Sequence, residues 1–187
     1  PDVSWTTDLT YSHVKNEITD LENRSRVVDM VSGSGYAMKG YPVRSLFSFD
    51  FQGLNEEGLP QFINQENDLT VSDINFQERN HLGHLVYEGS ATPTDHGGFG
   101  NLLTYKNFKL NLFITYSWGN VVRLDPIFKS SYNDLTSMSK EYKNRWVVPG
   151  DENKTNIPVI ASKRQLRQDS RLNRAYNAYN YSTARTA

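Results

Sequence analysis

His81, His84 and Glu88 group two imidazoles and a carboxylate within eight positions and invite a metal reading. Imidazole and carboxylate both ligate zinc, but the spacing argues against a shared ion. Leu82–Glu88 is an expected short strand, and residues three apart on a strand face opposite sides, so the two imidazoles diverge. With no cysteine there is no thiolate ligand, thiol nucleophile or disulfide. No Gly-x-Ser-x-Gly elbow is present, and no His sits beside a recognisable nucleophile motif. The 21 Asp and Glu residues offer many pairs, and no spacing singles out one as a glycosidase couple. No catalytic residue, metal or cofactor is expected, and no enzyme.

Binding chemistry is better represented. Arg145-Trp146 sets a cation beside a flat ring, and Tyr176, Tyr179 and Tyr181 alternate with Asn and Ala. Flat aromatics stack on sugars or peptide side chains, and Asn supplies donor and acceptor. These five residues are the candidates for substrate or partner contact. The competing role is packing: Trp146 as the anchor of its own loop, the tyrosines against neighbouring loops. Lys163, Arg164, Arg167, Arg171 and Arg174 form a basic stretch of helical propensity. It suits phosphates such as those of lipopolysaccharide, or a protein partner, and equally a solvated helix face. Asn153-Lys154-Thr155 matches a glycosylation sequon. The 20 basic and 21 acidic residues nearly cancel, which gives no reason to expect nucleic acid. Locally the chain is acidic through Asn120 and basic beyond it.

The elements that must position these groups are dominated by alternation. Phe108, Leu110, Leu112, Ile114, Tyr116 and Trp118 occupy every second position, with Lys109, Asn111, Phe113, Thr115 and Ser117 between them. Successive strand side chains point to opposite faces, so one face is apolar and the other mostly polar. The arm has the length of a bilayer-crossing strand, roughly 9–11 residues, with aromatics at both ends of its apolar face as in membrane barrels. Gly97–Tyr105 alternates in the same sense, and Lys106-Asn107 makes a tight turn. Val3–Val14 alternates too: Trp5, Thr7, Leu9, Tyr11 and His13 against Ser4, Thr6, Asp8, Thr10 and Ser12. The expectation is a mainly β chain, a fragment of a large antiparallel transmembrane barrel, with Phe108, Leu110, Leu112, Ile114, Tyr116 and Trp118 facing lipid. The alternative is a soluble all-β module that binds carbohydrate or peptide, with the same residues as core.

Elsewhere, residues 24–40 carry turn chemistry, and Val43–Phe51 is a further alternating run with Phe47, Phe49 and Phe51 on one side. Gln52–Asn80 has no clean period, and Ser90–His96 reads as a turn. Asp125-Pro126 can open a helix, Tyr132–Trp146 has weak helical periodicity through Leu135, Met138 and Tyr142, and Val148–Pro158 is a Pro/Gly loop. Barrel turns are short on the periplasmic side. The Lys106-Asn107 turn therefore orients the rest: residues 1–17 a strand, 18–96 an extracellular excursion, 97–118 a membrane hairpin, 119–187 an extracellular loop. Pairing Val43–Phe51 with a second membrane strand over Leu69–Glu88 would turn Asp73, Asn75 and Gln77 to lipid, at about 1–4 kcal/mol each. The sequence starts within a strand and stops in loop-like sequence, and it reads as an internal piece of one barrel domain.

Four blocks together resemble the SusC/RagA family of TonB-dependent outer-membrane transporters: "SWTTDLTYSHVKNEITDL", "GYPVRSLFSFDFQGLNEEGLPQF", "LVYEGSATPTDHGGFGNLLTYKNFKLNLFITYSWGN" and "NRWVVPGDENKTNIPV". They follow the family's order and span almost the whole chain. One departure concerns residues 66–73. Many members carry a glycine-containing acidic loop there, whereas this chain reads Glu66-Asn67-Asp68-Leu69-Thr70-Val71-Ser72-Asp73, without the glycine that a calcium loop's turn requires. The resemblance implies a barrel of about 22 strands around a plug in the bacterial outer membrane. It also implies nutrient uptake, of glycans or peptides, with TonB and a SusD-like surface lipoprotein as partners. Plug and TonB-contact regions lie outside these residues.

Overall fold

The computed structural model describes residues 3–22, 24–128 and 139–187. In chain order its elements are strand β1 (Val3–His13), helix α1 (Val27–Val31), and strands β2 (Ser45–Phe49), β3 (Phe51–Leu54), β4 (Pro60–Ile63), β5 (Leu69–Thr70), β6 (Leu85–Ser90), β7 (Asp95–Tyr105) and β8 (Phe108–Trp118). Helices α2 (Lys163–Gln168) and α3 (Ser170–Asn180) follow, with short 3₁₀ turns at Lys140–Asn144, Asp151–Asn153 and Thr183–Arg185. The chain is mainly β, with antiparallel sheets in the orders β1-β7-β8, β2-β6 and β3-β4-β5. None of these sheets closes on itself among the described residues, and no helix there is long and apolar enough to cross a membrane.

The segments of strongest alternation become the three longest strands, 11 residues each. They pair in unbroken antiparallel register, Val3 opposite Tyr105 through His13 opposite Asp95, and Asp95 opposite Trp118 through Tyr105 opposite Phe108. The Lys106-Asn107 turn is as tight as expected, with Lys106 at φ 53°.

The spans set apart in the sequence, 18–96 and 119–187, share one core. Val27, Val31, Phe49, Phe62 and Ile74 from the first pack with Ile127, Tyr142, Ala178 and Tyr179 from the second. Phe49 is fully buried and lies edge-on to Phe76 at 5.2 Å and Phe62 at 6.3 Å. Its N–H donates to the Tyr181 carbonyl at 2.9 Å, so the chain after α3 lies along the edge of β2. Two arginines tie the C-terminal end down. Arg123 donates to the Phe47 and Ser182 carbonyls and to the Ser48 and Thr186 hydroxyls at 2.6–3.3 Å. Arg185, 3% exposed, donates to Glu141 at 2.6 Å and to the Asp125 carbonyl at 2.6 Å.

Several expectations need correction. Val43–Phe51 is not one strand. Asp50 leaves the β2 ladder and gives its carbonyl to the Ile63 N–H, which separates β2 from β3. The expected strand Leu82–Glu88 begins at Leu85, and His81 and His84 lie in the turn before it. The expected turn 90–96 ends early, because β7 starts at Asp95. Residues 24–40 contain α1, held by reciprocal Arg26–Asp29 hydrogen bonds and burying Val27, Met30 and Val31. Gln52–Asn80 holds most of β3 and all of β4 and β5, strands of two to four residues, too short to show a period. Asp125-Pro126 opens no helix as far as Phe128, and Tyr142 lies in a 3₁₀ turn. Leu135 and Met138, on which the expected helix from Tyr132 also rested, lie outside the described residues.

Phe49→Ala empties the centre of the shared core and should lower unfolding free energy by about 3–5 kcal/mol, read as a shift in the denaturation midpoint.

Candidate functional site

The three-stranded sheet sorts its side chains by type. One face carries Trp5, Leu9 and Tyr11 of β1, Phe99, Leu103 and Tyr105 of β7, and all six alternate apolar residues of β8. The other carries Ser4, Thr6, Asp8, Thr10 and Ser12 beside His96, Gly98, Gly100 and Thr104, then Lys109, Asn111, Thr115 and Ser117, with Leu102 and Phe113 as its two large apolar side chains. Most of the apolar face is bare: Trp5 is 72% exposed, Leu9 70% and Leu112 53%. Strands of 11 residues are about 36 Å long, and at a 45° tilt they rise about 25 Å, the height of a barrel's apolar band. Aromatics mark both ends. Trp5, Tyr105 and Phe108 sit near the Lys106-Asn107 turn; Tyr11, Tyr116 and Trp118 sit at the far end, with rings 5.1 and 6.2 Å apart.

Mid-sheet polar groups on this face are satisfied within it. Asn101 Oδ1 accepts from Trp5 Nε1 and Thr7 Oγ1, both at 3.0 Å, which removes the cost of an unpaired acceptor in an apolar medium. Tyr116 crosses β7 and donates to the Thr10 carbonyl of β1 at 3.2 Å. It can do so because Gly97 lies beneath it, where an added Cβ would overlap the phenol ring. On the opposite face Phe113, 65% exposed, lies across Gly98 and Gly100.

Asp95 joins sheet to body at the first position of β7. It accepts from Thr94 Oγ1 at 2.6 Å, Tyr11 Oη at 2.6 Å and His13 Nδ1 at 2.9 Å. The flanking backbone closes the junction, with Val14 N–H on the Thr94 carbonyl at 2.8 Å and Thr94 N–H on the Trp118 carbonyl at 3.1 Å. Asp95 does not stand out in the sequence, because two of its three donors, Tyr11 and His13, lie more than 80 residues away.

The expected contact residues are dispersed. Tyr176 and Tyr179 are 1% and 2% exposed. With Ala175 and Ala178 they form the buried stripe of α3, so both rings are enclosed in the body. Tyr176 donates to the Val159 carbonyl, and burial pushes the Tyr179 phenol up to about 12. Tyr181 is half-buried against the same core. Trp146 lies on Gly58, a turn residue at φ 75° where an added Cβ would overlap the indole, and donates to Glu152 at 3.0 Å. Arg145 donates to the Tyr142 carbonyl at 3.0 Å and lines a shallow open groove with Asp151, Lys154 and Ile157. Of the basic stretch, Arg164, Arg171 and Arg174 are exposed, and Arg171 pairs with Asp169 at 3.1 Å. His84 rests 6.3 Å from the Phe49 ring, and burial lowers its imidazole. Among the described residues, no three His, Cys, Asp or Glu side chains gather as a metal site.

No protein-family profile and no curated protein sequence matches this chain.

The Asp95 carboxylate takes three side-chain hydrogen bonds at the junction, and hydrogen bonds to a charged acceptor are stronger than neutral ones. Asp95→Ala, which removes the acceptor of all three bonds, should therefore melt below the wild type in fluorescence-monitored melts. Gly97→Ala should lift Tyr116 off β7 and weaken the Tyr116–Trp118 stack, visible as a change in near-ultraviolet circular dichroism.

Proposed function

We propose that this chain is a section of an outer-membrane β-barrel wall with its folded external loops, serving TonB-dependent import of oligosaccharide or peptide. The observation that carries the proposal is the bare, aromatic-ended apolar face on three long registered strands. A solvated protein rarely leaves so continuous an apolar surface in water, whereas lipid is its natural solvent. Polarity across the sheet and direction along it support the same reading. Apart from Leu102 and Phe113, the opposite face is polar or glycine, as a lumen wall is. β1 and β8 run toward the body and β7 runs away from it, so the folded mass gathers at one end and the two-residue turn at the other. The open edges of β1 and β8 would be paired by neighbouring barrel strands.

In this reading β1, β7 and β8 are membrane strands, Phe108, Leu110, Leu112, Ile114, Tyr116 and Trp118 face lipid, and the body from 14–94 and 119–187 lies outside the cell. The substrate class, the SusD-like lid and the TonB contact rest on the resemblance of the four sequence blocks to SusC/RagA transporters. The soluble-module reading requires the apolar face as core, and here that face is bare.

Leu112→Arg tests the proposal against Asn111→Arg, its neighbour on the polar face. A lipid-facing arginine at mid-depth costs about 2–4 kcal/mol, so Leu112→Arg should reduce heat-modifiable protein in the outer-membrane fraction while Asn111→Arg assembles normally. Equal assembly of the two would overturn the lipid assignment.

A further inference from the structure

A second surface has chemistry of its own. A cavity of about 530 Å³ opens where the chain leaving β1 meets the 37–41 turn and the 79–82 segment. Leu21, Met38 and Leu82 line it together with Arg24, Lys39 and Arg79, three exposed cations. The volume is that of a small-molecule site. Three cations line one cavity although this part of the sequence is acidic.

The surrounding acids are mostly engaged elsewhere. The Glu78 carboxylate accepts the backbone N–H groups of Arg79 and Asn80 at 2.9 and 2.7 Å. Asp29 is held by Arg26 at 2.7 and 2.8 Å. Asp20, 3.8 Å from Lys39, is the one carboxylate within ion-pair range of the three cations among the described residues, and both partners there are well exposed. The arrangement is also braced. Arg79 donates to the Arg24 carbonyl at 3.1 Å, which joins two walls, and reciprocal Ile18–Tyr41 and Gly40–Ile18 backbone bonds at 2.9 Å hold the third. A guanidinium fixed by one bond keeps its remaining donors for an oxyanion.

We infer that this cavity binds the phosphate, sulfate or carboxylate group of a ligand that also has an apolar side, the anion held by Arg24, Lys39 and Arg79 and the apolar part resting on Leu21, Met38 and Leu82. The site is independent of where the three-stranded sheet resides, so its failure and that of the membrane proposal are separate results.

Isothermal titration of the purified protein in an uncharged detergent, with phenyl phosphate and with phenol, tests it. Phenyl phosphate should bind more tightly than phenol by about tenfold or more at low salt. Arg79→Gln and Lys39→Gln should each weaken it by about tenfold, Arg79→Lys by less, and Arg44→Gln, an exposed cation outside the cavity, not at all. Circular dichroism checks that the variants keep the fold. Equal binding of phenol and phenyl phosphate, or unchanged binding by both glutamine variants, would overturn the inference. Phosphatidylglycerol mixed into the micelles separates the two sources of such an anion. Displacement of phenyl phosphate by the lipid, lost in Arg79→Gln, assigns a membrane headgroup; phenyl phosphate binding that the lipid leaves intact assigns a free ligand.

Discussion

The register of β7 against its two neighbours is the constraint on which the rest depends. Side chains alternate strictly along a strand, so a slip of one residue would send every apolar group of that strand to the opposite face. Gly97 lets Tyr116 reach across to Thr10, Asn101 gathers donors from Trp5 and Thr7, and Asp95 takes hydrogen bonds from Tyr11 and His13. Each contact exists in one register only. Together they turn three separate alternating segments into one surface with two chemistries.

The same register delivers the body. With β1 and β8 ending beside the start of β7, the chain between β1 and β7 and the chain after β8 leave the sheet at one end. There the two spans complete each other. β2 is paired by β6 on one side and receives the Tyr181 and Ser182 backbone on the other. Asn180 of α3 clamps Phe128 through both its N–H and its carbonyl. Buried polar groups of this kind fix one arrangement, because any other leaves donors and acceptors unpaired in a dry core. The cationic cavity lies wholly within the first span, where three of its stretches meet.

How much of this was legible depends on element length. The β7–β8 hairpin and β1 could be read because eleven residues give five or six full alternations. β4 and β5 could not, although their turns had a signal: Asn55-Glu56-Glu57-Gly58 and Asn64-Gln65-Glu66-Asn67 share an Asn whose side chain accepts later N–H groups and a fourth residue at positive φ. That recurrence is a hairpin pattern. α3 also had a legible stripe, since Ala175-Tyr176 and Ala178-Tyr179 repeat at the three-residue spacing of a helix face. Of the two roles open to these tyrosines, ligand contact and packing, their burial in the structure agrees with packing.

Local pattern determined what each long strand would show on its two faces, because alternation is a property of the extended backbone and needs no partner. It also determined the tight turn between β7 and β8. Tertiary structure alone decided which strands became neighbours, that two distant spans would share a core, that Tyr176 and Tyr179 would be enclosed while Leu112 stayed bare, and that Arg24, Lys39 and Arg79 would line one cavity. Those outcomes depend on burial and convergence, which arise between segments far apart in sequence and leave no period within any one of them.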